Sequence, residues 1–270
     1  MTTSDSRFAG SVPAIYERCL VPLIFRHYAD DLAARVLARR PGRVLEIAAG
    51  TGVVTRAMAA ALGAGTAIVA TDLNQAMIDE AIARGGAPSV EWKQADAMRL
   101  PFPDASFDAV VCQFGVMFFP DRAAAYAETR RVLKPGGVFL FNVWDRIEDN
   151  EFADVITAAL RLHFPADPPL FLARTPHGYH DAATIRRDLA KGGFAKTARI
   201  DVVAARSVAD SARVPAMGFC QGSPLRMEIE ARDAAGLEQA TNVATKAVER
   251  RFGTGRVDAK MQALVVSVER

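Results

Sequence analysis

The sequence predicts an α/β fold built around a mainly parallel sheet, and three observations support this prediction. A short apolar run, Arg43–Ile47, is followed by a glycine-containing turn and then by a stretch of helical composition, Val53–Leu62, with Gly63 as its stop. Two further apolar runs, 67–72 and 109–112, alternate with helical patterns. Repeated strand, turn and helix are typical of a sheet that carries its ligand at the carboxyl ends of the strands.

The first turn has an unusual pattern of small residues. Gly50 and Gly52 allow a tight turn and a close approach of the backbone to a ligand. A dinucleotide-binding turn has the pattern G-x-G-x-x-G, but Thr55 occupies the position of the third glycine. The pattern here is an acid, a small residue and two glycines at alternate positions, namely Glu46, Ala48, Gly50 and Gly52.

The second strand, 67–72, ends on an acid. Asp72 lies twenty residues after Gly52, close to the offset of a carboxylate that accepts hydrogen bonds from ribose hydroxyls. Asn74 is expected to cap the next helix, Gln75–Arg84, whose start places Leu73 and Met77 beside an adenosine. A helix-capping or loop role for Asp72 is the alternative.

Later strands end in comparable positions. The third strand, 89–97, runs into Asp96, and the fourth, 109–112, runs into Gln113 and Phe114. A helix from Asp121 to Leu133 is followed by a turn at 134–137 and a fifth strand, 138–143. We expect the apolar residues after the fourth strand to divide between the site, at Phe114, and the core.

Three separated segments resemble one family: the turn at 46–52, the segment Leu100-Pro-Phe-Pro-Asp-Ala-Ser-Phe-Asp108, and Arg131-Val-Leu-Lys-Pro-Gly-Gly137. They are similar to class I S-adenosylmethionine-dependent methyltransferases, in particular the type 11, ubiquinone/menaquinone-biosynthesis-like branch. The resemblance covers about residues 40–145. It implies S-adenosyl-L-methionine as cofactor, S-adenosyl-L-homocysteine as product, and methyl transfer to a small molecule at oxygen, nitrogen or carbon.

The resemblance also implies a Rossmann-like, seven-stranded sheet of order 3-2-1-4-5-7-6, with strand 7 antiparallel and a helical lid. Asp96 would then lie near the adenine, the amide of Ala97 against its ring, and Gln113 and Phe114 beside the reacting methyl group. Glu46 would face the cationic end of the ligand. The full set of expected cofactor-binding residues is Glu46, Ala48, Ala49, Gly50, Gly52, Asp72, Leu73, Met77, Asp96, Ala97, Gln113 and Phe114. Ala48 replaces the family's first glycine, at little cost if its φ is not positive.

The rest of the chain predicts additions to this core. We expect a flexible tail at 1–12, helices at Pro13–Leu20 and Pro22–Arg39, and a division into 1–40 (N-terminal cap), 41–145 (cofactor-binding core), 146–195 (cap loop and helix) and 196–270. The last part contains strand six at 196–204, a helical insertion at 206–257 and strand seven at 258–268. Between a helix at 150–164 and another at 181–190 lies a proline-rich loop. The N-terminal helices and the insertion are expected to form the lid.

Methyl transfer from a sulfonium is an in-line displacement, in which the protein mainly orients the nucleophile and excludes water. A base is needed only for a weakly acidic hydroxyl or carbon acid. The candidates are His180, His177 and Tyr16, with His163 and His27 behind them, and each of them could equally be a packing or surface residue. The sequence alone identifies no catalytic residue.

Composition excludes several other classes. A net charge of +2 favours neither nucleic acid nor membrane as partner, and three widely spaced cysteines predict neither a disulfide framework nor a metal site. The start of the chain lacks the apolar core of a signal peptide, so we expect a cytoplasmic protein, and a homodimer stays open. Tyr126 is followed by Arg130 rather than by the lysine of a short-chain dehydrogenase. A non-catalytic ligand-binding or interaction module is the main alternative, and an NAD-dependent oxidoreductase is less favoured.

Overall fold

The computed structural model describes residues 12–85 and 90–270. Two predicted features lie outside the described residues. They are the predicted tail up to residue 11 and Ser89, the predicted first residue of strand three. The chain forms two compact units. The first consists of residues up to Phe25, Trp144–Gly178 and Ala204–Ala263, and the second of Arg26–Val143, Tyr179–Val203 and Leu264–Arg270.

The strands are β1 Arg43–Glu46, β2 Ala67–Asp72, β3 Val90–Gln94, β4 Phe107–Gln113, β5 Leu133–Trp144, β6 Arg199–Ala209 and β7 Val257–Glu269. The helices are α1 Val12–Ile15, α2 Arg26–Arg39, α3 Val53–Leu62, α4 Gln75–Ala83, α5 Arg122–Val132, α6 Glu151–His163, α7 Phe171–Arg174, α8 Ala182–Lys191, α9 Arg213–Gln221, α10 Leu225–Arg232 and α11 Leu237–Phe252. Short 3₁₀ turns lie at Gly63–Gly65, Val116–Phe118 and Ile147–Asp149.

The seven strands form one sheet in the order β3-β2-β1-β4-β5-β7-β6, with β7 antiparallel, as predicted. β1 pairs in parallel with β2, where Glu46 stands opposite Ala70, and with β4, where it stands opposite Val111. β2 pairs in parallel with β3, and Asp72 stands opposite Gln94. The carboxyl ends of four neighbouring strands therefore meet at one edge of the second unit.

The N-terminal helical stretch differs from the prediction of two helices separated before Pro22. A π-helical segment, Tyr16–Phe25, directly continues α1 and is itself continued by α2, with Pro22 inside it. Proline lacks the amide donor of an α-helix and its ring clashes with the carbonyl four residues back. The wider π turn accommodates Pro22, so the proline changes the helix type without ending the helix.

Strand β5 begins earlier than predicted. Leu133 pairs with Phe107 and Val138 with Ala109, so residues 134–137 stand opposite Asp108 alone. This is a bulge in which Gly136 has a φ of 77°. The predicted Lys-Pro-Gly-Gly turn does interrupt the regular strand pairing. It lies inside β5, however, and does not separate the helix from the strand as predicted.

Three later boundaries also change. β6 runs to Ala209, past the predicted end at Ala204, beside β7 in the sheet. The helical insertion therefore occupies 210–256, with α11 where the composition indicated it most clearly. The predicted loop 165–180 contains the short helix α7, which begins near Leu170 where Glu228 accepts hydrogen bonds from the amides of Leu170 and Phe171.

The core of the second unit lies on both faces of the sheet. On one face Leu32 and Val36 of α2 and Met58 of α3 cluster with Val111 and Leu140 of neighbouring strands. On the other face, Tyr126 of α5 packs against the rings of two β5 residues, Phe139 and Phe141, at centroid distances of 5.7 and 5.8 Å. Burial of one such side chain contributes about 1.5–3 kcal/mol.

The first unit contains α6, α9 and α11, which pack against one another, and α9 also packs against the π-helical segment. A methyl group at Gly218 of α9 would lie 2.8 Å from Leu20, so glycine is needed for this close approach. Asn150 joins α6 to β7: its side chain donates to the carbonyl of Gln262 over 3.1 Å and accepts from the amide of Gln262 over 3.0 Å. The assignment of these elements as a lid and the predicted four-part division stay predictions.

Candidate functional site

The glycine turn between β1 and α3 lies at the carboxyl edge of the sheet and is held by neighbouring strands. The amide of Ala49 donates to the carbonyl of Thr71 over 2.9 Å, and the amide of Gly50 donates to Oδ2 of Asp72 over 2.8 Å. Gly50 and Gly52 have φ values of 57° and 79°, which favour glycine. The predicted turn and the predicted ribose carboxylate are therefore brought into direct contact.

Asp72 is 7% exposed, and both of its carboxylate oxygens accept backbone hydrogen bonds. Oδ2 accepts from Gly50, and Oδ1 accepts from the amide of Asn74 over 2.8 Å. Burial raises the pKa of this carboxyl, while the hydrogen bonds oppose the rise. Asn74 occupies the N-cap position of α4. Its side chain makes no capping hydrogen bond, in contrast to the prediction. The reason is local, since the Asn74 side-chain amide faces Asp72 at 3.4 Å.

Glu46 is more enclosed than Asp72, at 1% exposed. Its Oε2 accepts a hydrogen bond of 2.6 Å from the hydroxyl of Thr55 in α3. Burial raises its pKa to about 8, and the neighbouring Asp72 adds to the rise. Thr55, which the sequence marks only as a missing third glycine, thus has a role of its own as the partner of the buried acid.

Ala48 has a φ of 54°, so the condition under which the sequence predicted little cost is not met. An L-residue in this left-handed region is destabilised by about 1–2 kcal/mol relative to its usual conformation. Its methyl group faces Gly115, where an added Cβ would lie 2.6 Å from Ala48 Cβ and 2.7 Å from Cys112 Sγ. The alanine is accommodated because the facing position has no side chain.

Two side chains from neighbouring elements cover the turn. An added methyl group at Gly52 would lie 2.7 Å from the indole of Trp92 on β3, and one at Gly50 would lie 3.6 Å from Cε of Met77 on α4. Met77 is buried, whereas Leu73 is 52% exposed directly after β2. Leu73 therefore offers an accessible apolar side chain next to Asp72, and Met77 supports the turn from within.

Asp96 and Ala97 follow β3 and form a tight turn. Oδ1 of Asp96 accepts from the amide of Met98 over 2.9 Å, and the carbonyl of Asp96 accepts from the amide of Arg99. The amide of Ala95 donates to the carbonyl of Asp72, which ties this turn to the end of β2. Both predicted residues are half-buried on the same edge as the glycine turn.

At the end of β4, Phe114 has a φ of 47°, a strained value for a bulky residue. Its amide donates to Oδ1 of Asn142 over 2.9 Å and to the carbonyl of Asn142 over 3.2 Å. Its ring meets the ring of Tyr28 edge-on at 5.3 Å. Gln113 pairs in register with Asn142. Sequence reasoning missed Asn142, although an amide inside the otherwise apolar run Val138–Trp144 was a usable signal.

The candidate bases are divided between the two units. In the first unit, Nδ1 of His177 lies 2.8 Å from the carbonyl of Asp145, and the ring of Tyr16 stacks on that of Phe25 at 4.9 Å. A carbonyl only accepts, so Nδ1 of His177 carries the proton in this contact. His180 belongs to the second unit and immediately precedes Asp181, which caps α8. Of the others, His163 lies against Phe164 and His27 against Tyr28.

Sequence reasoning also missed the role of Arg131. It donates to the carbonyls of Leu100 and Phe102 and to the carboxylates of Glu128 and Asp104. It thereby fixes the start of the Leu100–Asp108 segment to α5.

Among the described residues, no group of three acidic, cysteine or histidine side chains is arranged to hold a metal ion. Within residues 12–85 and 90–270, no helix is both long and apolar enough to cross a membrane.

Comparison with known proteins places this geometry in context. A family model for a methyltransferase domain matches residues 45–141. The chain is 40% identical over 152 residues to the ubiquinone/menaquinone biosynthesis C-methyltransferase of Caulobacter sp. strain K31, covering 53% of this chain and 57% of that protein. It is 44% identical over 137 residues to the demethylmenaquinone methyltransferase of Deinococcus radiodurans, covering 48% and 55%. The chain thus spans little more than half the length of these two relatives.

A longer match joins the chain to the ubiquinone/menaquinone biosynthesis C-methyltransferase of Saccharophagus degradans, at 32% identity over 187 residues, with 64% of this chain and 74% of that protein covered. Among solved structures, the YcgJ protein of Bacillus subtilis superimposes with a TM-score of 0.57 at 20% identity, covering 90% of this chain and 98% of that chain. At that identity the structural likeness is evidence for the fold alone.

Proposed function

The chain belongs to the type 11 family of class I S-adenosylmethionine-dependent methyltransferases, and from this membership we propose that it transfers a methyl group from S-adenosylmethionine to a small molecule. The observation that carries the proposal is the hydrogen bond from the amide of Gly50 to Asp72. It joins the glycine turn to the acid at the end of the next strand, where a nucleoside would be held from two sides.

The residues present fit such a cofactor. Asp72 accepts hydrogen bonds from the amides of Gly50 and Asn74 and a longer one from the Asn74 side chain. A carboxylate offers about four acceptor sites, and we propose that the remaining capacity serves the ribose. We propose that Leu73, whose apolar side chain is exposed, lies against the adenine, and that Asp96 and the amide of Ala97 contact the adenine as well. Glu46 is enclosed and burial raises its pKa, so we propose that it acts on the methionine end of the cofactor through the turn it supports rather than by direct contact.

When bound, S-adenosylmethionine supplies a methyl carbon that leaves its sulfur without the bonding electron pair. The chain's own residues then have to hold the acceptor in line with that carbon and exclude water. Gln113 and Phe114, at the end of β4, are the residues we propose beside the transferred carbon. The strained backbone of Phe114 is rigidly held by Asn142, which suits a positioning role.

For the acceptor, we propose a carbon of an electron-rich aromatic ring, such as a hydroquinone. The names of the relatives support this choice, because they describe C-methyltransferases of ubiquinone and menaquinone biosynthesis and a demethylmenaquinone methyltransferase. The ring carbon would gain the methyl group and lose a proton. His180, His177 and Tyr16 remain the proposed candidates to accept it, directly or through water.

Two alternatives make different predictions. A non-catalytic module of the same fold would bind ligand without turnover. An NAD-dependent oxidoreductase would need a third glycine near the pyrophosphate, but Thr55 occupies that position and donates to Glu46.

Calorimetric titration of the purified protein with S-adenosylmethionine, S-adenosylhomocysteine and NAD tests the cofactor. We expect binding of the first two and no binding of NAD. Methyl transfer is then measured with a reduced demethylquinone and methyl-labelled cofactor. Cofactor binding without transfer to any phenolic acceptor would favour the non-catalytic module, and binding of NAD alone would contradict the proposal.

Replacement of Asp72 by alanine is expected to weaken S-adenosylmethionine binding by about 1–3 kcal/mol, the scale of lost hydrogen bonds to a charged group. The matched control is Asp79→Ala, since Asp79 is an exposed acid on α4 whose carboxylate accepts a hydrogen bond from Gln75 of the same helix. Titration calorimetry gives both affinities, and urea unfolding separates binding from folding. Equal affinities of Asp72→Ala and wild type would contradict ribose binding by Asp72.

Partners and location remain parts of the same proposal. We propose that the small molecule is the principal partner, that nucleic acid and membrane are not partners, and that the protein acts in the cytoplasm. Light scattering of the purified protein tests the homodimer that the sequence leaves open, and a mass of one chain would exclude it under the conditions used.

A further inference from the structure

Asn142 lies at the end of β5 on the face that packs against α2. Side chains alternate between the two faces of a strand, so Asn142 follows Val138 and Leu140 on one face. Both of these residues belong to the apolar cluster with Leu32 of α2 and Val111 of β4. The face is therefore apolar up to Leu140 and becomes polar at the carboxyl edge of the sheet, where Asn142 is paired in register with Gln113.

The two ends of the Asn142 amide are used differently. Oδ1 accepts from the amide of Phe114 over 2.9 Å, which determines the orientation of the group, because an N–H donor requires the oxygen on its side. Nδ2 then points away from the backbone amide of Phe114. It is buried, in a residue that is 0% exposed, and has no hydrogen-bond partner among the described residues.

A buried donor without an acceptor is costly, at about 1–3 kcal/mol. An apolar residue at this position would avoid that cost, as Leu140 does two residues earlier. The amide therefore needs a reason, and two features point to a ligand. The donor lies at the edge where this fold places its ligands, and it belongs to the residue that holds Phe114, the residue we place at the transferred carbon.

We infer that Nδ2 of Asn142 donates a hydrogen bond to a ring oxygen of an aromatic methyl acceptor, and that Asn142 positions this acceptor against Phe114. The inference rests on the proposed function, since it names the group that recognises the substrate of that same site. One side chain would hold Phe114 through its oxygen and the acceptor's oxygen through its nitrogen. A hydroxyl or carbonyl directly attached to the ring is the chemistry that fits a single neutral donor.

The test compares two ligands that differ by one oxygen. 1-Naphthol and naphthalene are titrated calorimetrically into protein saturated with S-adenosylhomocysteine, and the ratio of their affinities reports the contact to the oxygen. The variant is Asn142→Asp, which keeps the shape and an oxygen for Phe114 but replaces the amide donor with a carboxyl oxygen. Above the pKa of that carboxyl it cannot donate, and below it the protonated carboxyl can.

We expect the wild-type preference for 1-naphthol to be constant between pH 6 and pH 8.5. In Asn142→Asp it should fall about five- to tenfold at pH 8.5, the range for one neutral hydrogen bond, and recover at pH 6. Burial raises the pKa of carboxyls by up to about 3–5 units, which brings this titration near neutral pH. A purely structural role of Asn142 would change the affinities of both ligands together, without a pH-dependent ratio.

Thr129→Val is the matched control, since it removes another buried side-chain atom, Oγ1 of Thr129 in α5, that has no partner in the described part of the chain. Its ligand preference should equal that of the wild type. The inference is overturned if Asn142→Asp keeps the wild-type ratio at pH 8.5, or if wild-type protein with S-adenosylhomocysteine bound does not prefer 1-naphthol. Failure to bind S-adenosylhomocysteine at all would contradict the proposed function itself. This outcome differs from those that contradict only the role of Asn142.

Discussion

Single residues at the carboxyl edge carry unusual chemistry because they are enclosed. Glu46 is a carboxyl at 1% exposure with one hydroxyl partner, Thr55, and with a second acid, Asp72, nearby. Its pKa of about 8 means that the folded protein holds a proton at neutral pH that an unfolded chain would release. The stability of the fold is therefore linked to pH at this one position.

Glu46→Gln should remove a pH dependence of folding. Because the folded pKa of Glu46 lies above the ordinary value of 4.5, the free energy of unfolding falls as pH rises from about 4.5 to about 8, by up to ~1.4 kcal/mol per pH unit. Glutamine does not titrate, so the variant should be the more stable protein at pH 8 and lack this slope.

Urea unfolding at pH 5, 6.5 and 8 measures the effect. Glu148→Gln, at an exposed position before α6, is the control and should retain the wild-type slope. Parallel pH dependences for Glu46→Gln and wild type would show that Glu46 is not a proton-holding group of the folded state.

Ala48 provides a second prediction at the same scale. Glycine at this positive φ relieves about 1–2 kcal/mol of backbone strain and loses about 0.5–1 kcal/mol through its more flexible unfolded state. We therefore expect Ala48→Gly to stabilise the protein by roughly 0.5 kcal/mol in urea unfolding. Ala49→Gly, one residue on and without a positive φ, should destabilise it. Destabilisation by both substitutions to the same extent would contradict the strain at Ala48.

At the scale of whole elements, α5 connects two of the segments by which the family is recognised. Arg131 in its last turn donates to the carbonyls of Leu100 and Phe102, while Asp121 at its start accepts from the amide of Ala124 over 3.0 Å. Asp121 and Asp181 both cap helices with their side chains, as their positions before helical patterns indicate. The start of α5 is thus stabilised by the Asp121 cap, and its end by the hydrogen bonds of Arg131 to the Leu100–Asp108 segment.

Arg131→Met should keep the apolar stem and remove the donors. The carbonyls of Leu100 and Phe102 then lose their partner, and we expect a loss of about 1–3 kcal/mol in the free energy of unfolding. Arg130→Met, on the neighbouring position of α5, is the control and should change stability by less than about 0.5 kcal/mol. A loss no larger than that of the control would mean that solvent satisfies these carbonyls.

The elements also show what sequence can predict. β2 and α3 have the predicted limits, because an apolar run ending in an acid and a helical run ending at glycine are determined by local chemistry. The continuation of the helix through Pro22 depends on neighbouring elements, and propensity alone favoured a break. The φ of Ala48 depends on Gly115, more than sixty positions away, and the burial of Asn142 depends on Phe114, more than twenty-five positions away. No local sequence pattern contains such distant pairs.

For the whole molecule, the predicted cofactor-binding residues all fall within one of its two compact units. All twelve lie between Arg26 and Val143, whereas Tyr16 and His177 belong to the other unit. The family match at 45–141 lies in the same unit as the twelve. The sequence therefore identifies the unit in which we propose that the cofactor binds more completely than the residues that would select a substrate.

S-adenosylhomocysteine should protect the second unit from hydrogen exchange, most strongly at the amides of Ala49, Gly50 and Ala97. At a hundredfold excess over the dissociation constant, mass action adds about 2.7 kcal/mol to the stability of the bound form. Exchange followed by mass spectrometry with and without ligand measures this. NAD at the same concentration is the control and should leave the pattern unchanged. Protection confined to residues outside Arg26–Val143 would contradict the assignment of the site.

The outer strands of the sheet have a practical consequence for handling the protein. β3 presents Glu91 and Lys93 to solvent, and β6 presents Arg199 next to Asp201. Charged side chains on edge strands discourage the addition of a strand from another copy. Strand addition between copies should therefore be disfavoured at these edges, and a charged residue in place of Val202, which is 61% exposed on β6, should disfavour it further.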